Sequence, residues 1–227
     1  MYSEELISRL RDRIPAFLSG KRLAHTYAVE EECRSLSAVF SAHPQLFSEE
    51  DGLRLRTAAL IHDITKEKTP KEQLLLCSVY NIPLTDYEKA SPKVLHAKTA
   101  PAFAADVFNR EFGERIIDDM IADAVYTHTT GAARMSLAGK LLYLADYIEP
   151  TRTFPDCIAL RSAFYEKLPA VQKDPAALLL HLDRVLLSSF DMTLRDLIEN
   201  GAFIDTNTTA ARNALLFAHS DTAHTPS

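Results

Sequence analysis

The 227-residue sequence has no tryptophan, only six glycines and three cysteines, and no apolar run near the ~18 residues that a membrane-spanning helix needs. Cys33, Cys77 and Cys157 are odd in number and form no C-x-x-C pair, which argues against both a disulfide framework and a thiolate metal site. The N-terminus carries no signal-peptide pattern, so the expected address is a reducing cytoplasm with no membrane association. Positive charge is also in short supply: 25 Lys and Arg face 31 Asp and Glu, for a formal net charge of −6 and no basic run. A nucleic-acid backbone is therefore not the expected partner. A small phosphorylated substrate stays open, because bound metals can reverse the local field.

Sustained period-two alternation is missing too, and Gly and Pro punctuate a pattern that reads as all-α. Ser3, followed by Glu4 and Glu5, opens a first helix that runs to just before Gly20, and a second spans about Lys21–Ser41. A third starts after Ser48, with Glu49, Glu50 and Asp51 complementing the helix dipole, and ends near His62-Asp63. Thr69-Pro70 opens a helix to about Tyr80, and Ser91-Pro92 repeats the device ahead of His96. Further helices are expected from Glu114 to about Thr127 and over Leu137–Glu149, the latter capped by Ser136. A loop rich in Thr, Pro and Arg follows, then a long amphipathic helix from Asp174-Pro175 to Asn200-Gly201. That helix reads as a cover for the core rather than a dimer surface, and monomer and homodimer both fit. One domain over 1–205, a last helix from Asp205 to Phe217 and a frayed tail from His219 complete the expected order, with no repeat and no linker.

What is present in quantity is an ordered set of metal-compatible side chains. His62-Asp63 ends the apolar run Ala58-Ala59-Leu60-Ile61, and buried charges must be paired or bound to a metal. His25, His96, His128 and Asp146 occupy similar settings; Asp146 sits in Leu141-Leu142-Tyr143-Leu144-Ala145-Asp146-Tyr147-Ile148, the most apolar helix of the chain. Four His and two Asp are too many for one catalytic ion with an open position. They suit two divalent ions, with Zn, Mn and Fe all compatible with these ligands. Asp63 lies mid-order and is the natural bridge, with His25, His62 and Asp146 on one ion and His96 and His128 on the other. Lys66 falls three residues after Asp63. If the helix continues that far, it shares the dyad's side and could hold a phosphate oxygen; a solvated Lys paired with Glu67 or Glu72 fits the spacing equally well. His43, His181, His219 and His224 lack such a context and read as structural.

These motifs resemble a known family. The dyad and its flanking ligands are similar to those of the HD-domain metal-dependent phosphohydrolases. Lys21-Arg22-Leu23-Ala24-His25-Thr26, Tyr126-Thr127-His128-Thr129-Thr130-Gly131 and Lys140–Arg152, with its Ala145-Asp146-Tyr147-Ile148-Glu149-Pro150 run and the following Phe154-Pro155 and Leu160-Arg161, resemble the YqeK-like symmetrical bis(5'-nucleosyl)-tetraphosphatases. The likeness covers roughly residues 18–165, with Thr209–Asn213 similar to the family's C-terminal end. It implies an HD-domain helical bundle with additional C-terminal helices. It implies also the symmetrical hydrolysis of diadenosine tetraphosphate to two ADP by a metal-bridging hydroxide, at a di-metal centre that is often iron. By this resemblance His25, His62, Asp63, His96, His128 and Asp146 are ligands. Lys66, Thr129, Thr130, Gly131 and Arg152 contact the dinucleoside polyphosphate, and Asp63, Lys66 and Arg152 act in catalysis.

The chain departs from the family pattern away from the ligands. Ala132 and Ala133 follow Gly131 where a basic residue is usual, with Arg134 displaced. Asp156 and Ala97 stand where glycines are usual, and Asn109-Arg110-Glu111 looks like added length. Two other readings remain: an HD phosphohydrolase acting on nucleoside monophosphates, cyclic nucleotides or guanosine tetraphosphate, and a non-catalytic nucleotide-binding helical module.

Overall fold

In the computed structural model, which describes residues 2–220, capping side chains set most of the helix ends, and no strand occurs among the described residues. The Ser3 hydroxyl accepts from the Leu6 N–H to start α1 (Glu4–Arg13). This helix stops well short of Gly20, turning into a 3-10 turn at Ile14–Ala16, because Pro15 has no N–H to continue the ladder. α2 spans Gly20–Phe40. α3 (Glu49–Ile61) and α4 (Pro70–Val79) open on reciprocal capping boxes, Ser48 with Asp51 and Thr69 with Glu72. A third box, Thr85 with Glu88, opens the short α5 (Asp86–Ala90).

Ser91-Pro92 behaves differently from the expectation. It opens only a 3-10 turn, Pro92–Val94, with no side-chain cap, and α6 begins at Leu95 and runs to Ala104. A π-helical turn at Ala105–Asn109 and α7 (Arg110–Phe112) follow. α8 (Asp119–Thr127) starts later than Glu114, for two reasons: the Asp118 carboxylate caps the Ile121 N–H, and the Ile116 and Ile117 N–H groups donate to Asn109 Oδ1. α9 (Leu137–Ile148) is capped by Ser136. The expected Thr/Pro/Arg loop is confined to the stretch before Pro155, where α10 (Pro155–Val171) begins. α11 (Pro175–Glu199), capped by Asp174, and α12 (Thr206–Ser220) complete the order. His219, expected to begin the tail, is still helical; His224 and the rest of the tail lie outside the described residues.

α3 is the central element. Its N-terminal turns carry charge, but Leu55, Ala58, Ala59, Leu60 and Ile61 are all fully buried, so its C-terminal half has protein on every side, and α1, α2, α8 and α9 pack about it. α6 lies between α4 and α8, while α10 and α12 flank α11. α11 buries Leu178, Leu182, Val185, Leu186 and Phe190 at three- and four-residue spacing, and α12 adds Ala211 and Leu215 to the same core. The histidines read as structural behave so: His43 Nε2 lies 2.8 Å from the Gln172 carbonyl and His181 Nε2 2.9 Å from that of Phe164. The three cysteines are free and buried.

The packing of α11 and α12 reaches the segment after α8. Gly131 has φ +68°, and a Cβ there would lie 2.6 Å from Phe190 Cζ and 2.8 Å from the Ala211 methyl. Gly131→Ala is expected to lower the unfolding free energy by about 2–4 kcal/mol through overpacking and left-handed strain. Chemical denaturation measures it, and adding Phe190→Leu should recover part of the loss.

Candidate active site

Five elements deliver side chains to one point. His25 comes from the first turns of α2, His62 and His128 from the C-terminal ends of α3 and α8, His96 from the start of α6, and Asp146 from the last turn of α9. Asp63 follows His62 directly. The helix does not continue to Lys66; a hydrogen-bonded turn, Lys66 N–H to the Asp63 carbonyl at 2.7 Å, carries it instead. That turn is anchored inside: Thr65 Oγ1 lies 2.9 Å from Thr99 Oγ1, and Gln73 Nε2 donates to the Thr65 carbonyl.

The imidazoles are held in one tautomeric sense. The Nδ1–H of His62, His96 and His128 donates to the carbonyl three residues earlier, in Ala59, Lys93 and Val125, at 2.6, 2.8 and 2.6 Å. His25 Nδ1 lies 3.0 Å from Glu149 Oε1. Since a carbonyl only accepts, each Nε2 of the first three presents a lone pair to the centre, and such outer contacts orient metal-binding histidines. Asp63 Oδ1 lies 3.2 Å from His96 Nε2 and 3.8 Å from His128 Nε2, while Oδ2 lies 3.5 Å from His62 Nε2 and 3.9 Å from His25 Nε2. His96 and His128 bring their Nε2 atoms to 3.2 Å of each other, and His25 Nε2 stands 3.0 Å from Asp146 Oδ1.

Lone pairs and carboxylates that converge in a dry site repel unless a cation sits among them. His62 Nε2 is buried with no hydrogen-bond partner. The donor set therefore fits divalent metal. Three groupings of ligand atoms are close enough to share an ion: His25, His62 and Asp63; Asp63, His96 and His128; and His62, His128 and Asp146. The first two follow the two oxygens of Asp63. The third crosses the expected division, because His62 also reaches toward His128.

Burial opposes the charged form of His25, yet the carboxylates of Asp146 and Glu149 outweigh it and raise its pKa to about 9. Burial pulls His96 down to about 4 against the pull of Asp63. Burial would raise Asp63 and Asp146, but the imidazoles around the first, and His25 with Arg152 beside the second, hold both well below the usual carboxylate range. Burial also lowers Lys66.

Three cations ring the centre. Lys66 Nζ stands 3.0 Å from His96 Nε2 rather than pairing with Glu67 or Glu72. Arg152 donates from Nη2 to Asp146 Oδ1 at 2.6 Å and from Nε to the Asp146 carbonyl at 2.9 Å. Arg22 donates to Asp63 Oδ2 at 2.6 Å. Thr129 Oγ1 lies 3.1 and 3.0 Å from the Nε2 atoms of His96 and His128. A cleft of about 560 Å³ opens beside them, lined by Lys66, Thr129, Arg152, Tyr147 and, from α11, Met192 and Thr193. Thr130 is half-buried outside that lining, and Gly131 is buried against α11 and α12.

Arg22 and Glu149 are not among the site residues expected from the sequence. The signal was there: each stands three positions from a proposed ligand on one helix or at its end, Arg22 before His25 and Glu149 after Asp146. Glu149 is fully buried and also accepts from the Thr151 N–H at 2.5 Å and its hydroxyl at 2.7 Å. Arg161, on the unexpected α10, donates to the carbonyls of Ile148, Glu149 and Arg152 at 2.5, 2.6 and 2.9 Å and so fixes this segment. Glu149→Gln is expected to weaken metal binding about 10–100-fold, read by competition with a chromophoric chelator.

The HD domain family matches residues 22–151, which contain all six converging side chains. The "Bis(5'-nucleosyl)-tetraphosphatase, symmetrical" of Bacillus subtilis (strain 168) is 32% identical over 61% of this chain and 66% of its own length, just under two thirds. The protein of the same name from Halalkalibacterium halodurans is 28% identical over 88% of this chain and 91% of its own. A crystal structure described as a predicted HD superfamily hydrolase involved in NAD metabolism, from Clostridium acetobutylicum, superposes with a TM-score of 0.75 at 30% identity, covering 96% of this chain and 99% of that one. With its dyad, its helical order and more than half its length inside that match, this chain belongs to the HD-domain family.

Proposed function

We propose that this protein is a phosphohydrolase that cleaves diadenosine tetraphosphate symmetrically into two ADP, at a centre of two divalent ions held by His25, His62, Asp63, His96, His128 and Asp146. The observation that carries the reading is the convergence of four imidazoles and two carboxylates beside a cleft whose inner wall is cationic. The names borne by the relatives from Bacillus subtilis and Halalkalibacterium halodurans support the substrate. Iron is the first choice of metal, with Mn and Zn equally compatible with the ligand chemistry.

Bound ions of this kind supply a nucleophilic water at neutral pH and neutralise charge on the phosphate. The chain's own residues supply position. Water adds to one of the two inner phosphorus atoms, and the oxygen joining the inner phosphates leaves with the second ADP, so one water and one dinucleotide give two ADP. Arg152 and Lys66 line the cleft where that chain must pass; guanidinium and ammonium donors are suited to phosphate oxygens and to the charge that grows on the leaving group. Thr129 offers a hydroxyl at the same wall. Arg22 reaches Asp63 from α2 and adds a third cation.

The test is turnover of diadenosine tetraphosphate by protein loaded separately with Fe(II), Mn(II) or Zn(II), with products resolved by anion exchange. ADP as sole product, lost on chelation and restored by metal, is the expected result; AMP plus ATP would overturn it. Lys66→Ala and Arg152→Ala should each lower kcat/KM by about 10²-fold or more while retaining bound metal by elemental analysis.

A further inference from the structure

The cleft beside the centre has two chemically different ends. Its inner end carries Lys66, Thr129, His128 and Arg152, together with Asp146, whose carboxylate is paired to Arg152. Its outer end carries Phe154, Asp156, Met192 and Asp196. Phosphates belong inside, because two carboxylates at the mouth repel them. A group that extends outward without carrying negative charge, donates hydrogen bonds and covers an aromatic ring fits this end. Phe154 is 65% exposed at this rim, an arrangement that costs free energy in an unliganded protein and is regained when a flat ring covers it. Its backbone is fixed, since Phe154 precedes Pro155 and forms the N-cap of α10. Asp196 Oδ1 accepts from Asn200 Nδ2 at 3.0 Å, leaving its second oxygen as an acceptor. The α11 wall is tied to α9 by Thr193 Oγ1 and Tyr147 Oη, 2.7 Å apart. The cleft volume of about 560 Å³ lies within the range of small-molecule sites, ~300–1,000 Å³.

Resting on the nucleotide reading above, we propose that this outer end is a purine-nucleoside subsite. Phe154 stacks on the base, and the Asp196 carboxylate accepts a hydrogen bond from its exocyclic amino group. The subsite makes the enzyme selective for an amino-bearing base such as adenine and orients the polyphosphate inward. It also explains why α11, which reads from sequence as a mere cover, turns Met192, Thr193 and Asp196 to the cleft.

Titration calorimetry on the metal-loaded protein tests this with three probes: ADP, inosine diphosphate, which lacks the exocyclic amino group, and tripolyphosphate, which lacks the nucleoside. Phe154→Ala should weaken ADP by about tenfold and leave tripolyphosphate unchanged, and Phe154→Trp should restore ADP binding. Wild type should prefer ADP to inosine diphosphate by about tenfold, and Asp196→Ala should abolish that preference. Equal loss of tripolyphosphate binding in Phe154→Ala would overturn the stacking role, and equal wild-type affinity for the two diphosphates would overturn the amino-group role. Because these are binding measurements, failure of the hydrolytic assignment shows separately, as absence of ADP production from the tetraphosphate.

Discussion

The carboxylate of Asp63, 2% exposed and faced by four imidazole Nε2 atoms, is the interaction around which the molecule is arranged. Taking that carboxylate out of water is costly unless positive charge meets it, and three of the four rings are oriented by main-chain carbonyls so that they offer electron pairs rather than protons. Arg22 at Asp63 and Arg152 at Asp146 supply part of that charge, and the three inward-facing Nε2 lone pairs suit a metal cation. The helices contribute beyond delivering side chains: α3, α8 and α9 all direct C-terminal ends toward this point, and the negative end of a helix dipole favours a cation. The burial of α3 from Leu55 to Ile61 on every side follows from the same constraint, because that half of the helix runs into the centre of the molecule.

The net charge of −6 and the proposed polyanionic substrate are reconciled at short range. Charges beyond the ~8 Å Debye length contribute little at physiological ionic strength, so the surface excess of acid does not decide what binds in the cleft. At the centre beside it, two carboxylates, Asp63 and Asp146, stand among three cations, Arg22, Lys66 and Arg152. Arg22 and Arg152 are each bonded to one of those carboxylates. A divalent ion held by Asp63 and Asp146 would add positive charge beside these carboxylates.

Much of this was legible in the sequence, and the gaps have physical causes. Local signals carried far: Ser48, Thr69, Ser136 and Asp174 all cap the helices they were expected to open, since a cap depends only on residues within one turn. α10 was hidden by its prolines. Pro150, Pro155 and Pro169 suggest a loop, yet Pro155 occupies the first helical position, where no N–H is needed, and Cys157, Leu160, Phe164 and Leu168 bury one face at helical spacing. Asp118 rather than Glu114 starts α8 because Asn109, a residue from the previous helical segment, satisfies the intervening N–H groups, and such a partner leaves no mark in the local pattern. The six converging side chains were readable as an ordered set. Arg22 and Glu149 were not, because each acts on another side chain rather than forming part of a recognisable donor pattern.

The division between chemistry and selectivity follows the chain. The family match ends at residue 151, and every residue of the converging cluster lies before it. Most of the outer cleft, from Phe154 through Asp156 and Cys157 to Met192, Thr193 and Asp196, lies after it. Two contacts join the halves: Arg161 clamps the carbonyls that end α9, and Phe190 with Ala211 closes over Gly131 behind His128 and Thr129. The C-terminal helices thus do more than shield the core. They hold the two segments that carry Asp146 and His128 while presenting a wall of their own to the cleft. The imidazoles of the cluster are oriented by carbonyls and a carboxylate of the N-terminal part, whereas the outer wall of the cleft is built by residues that follow it.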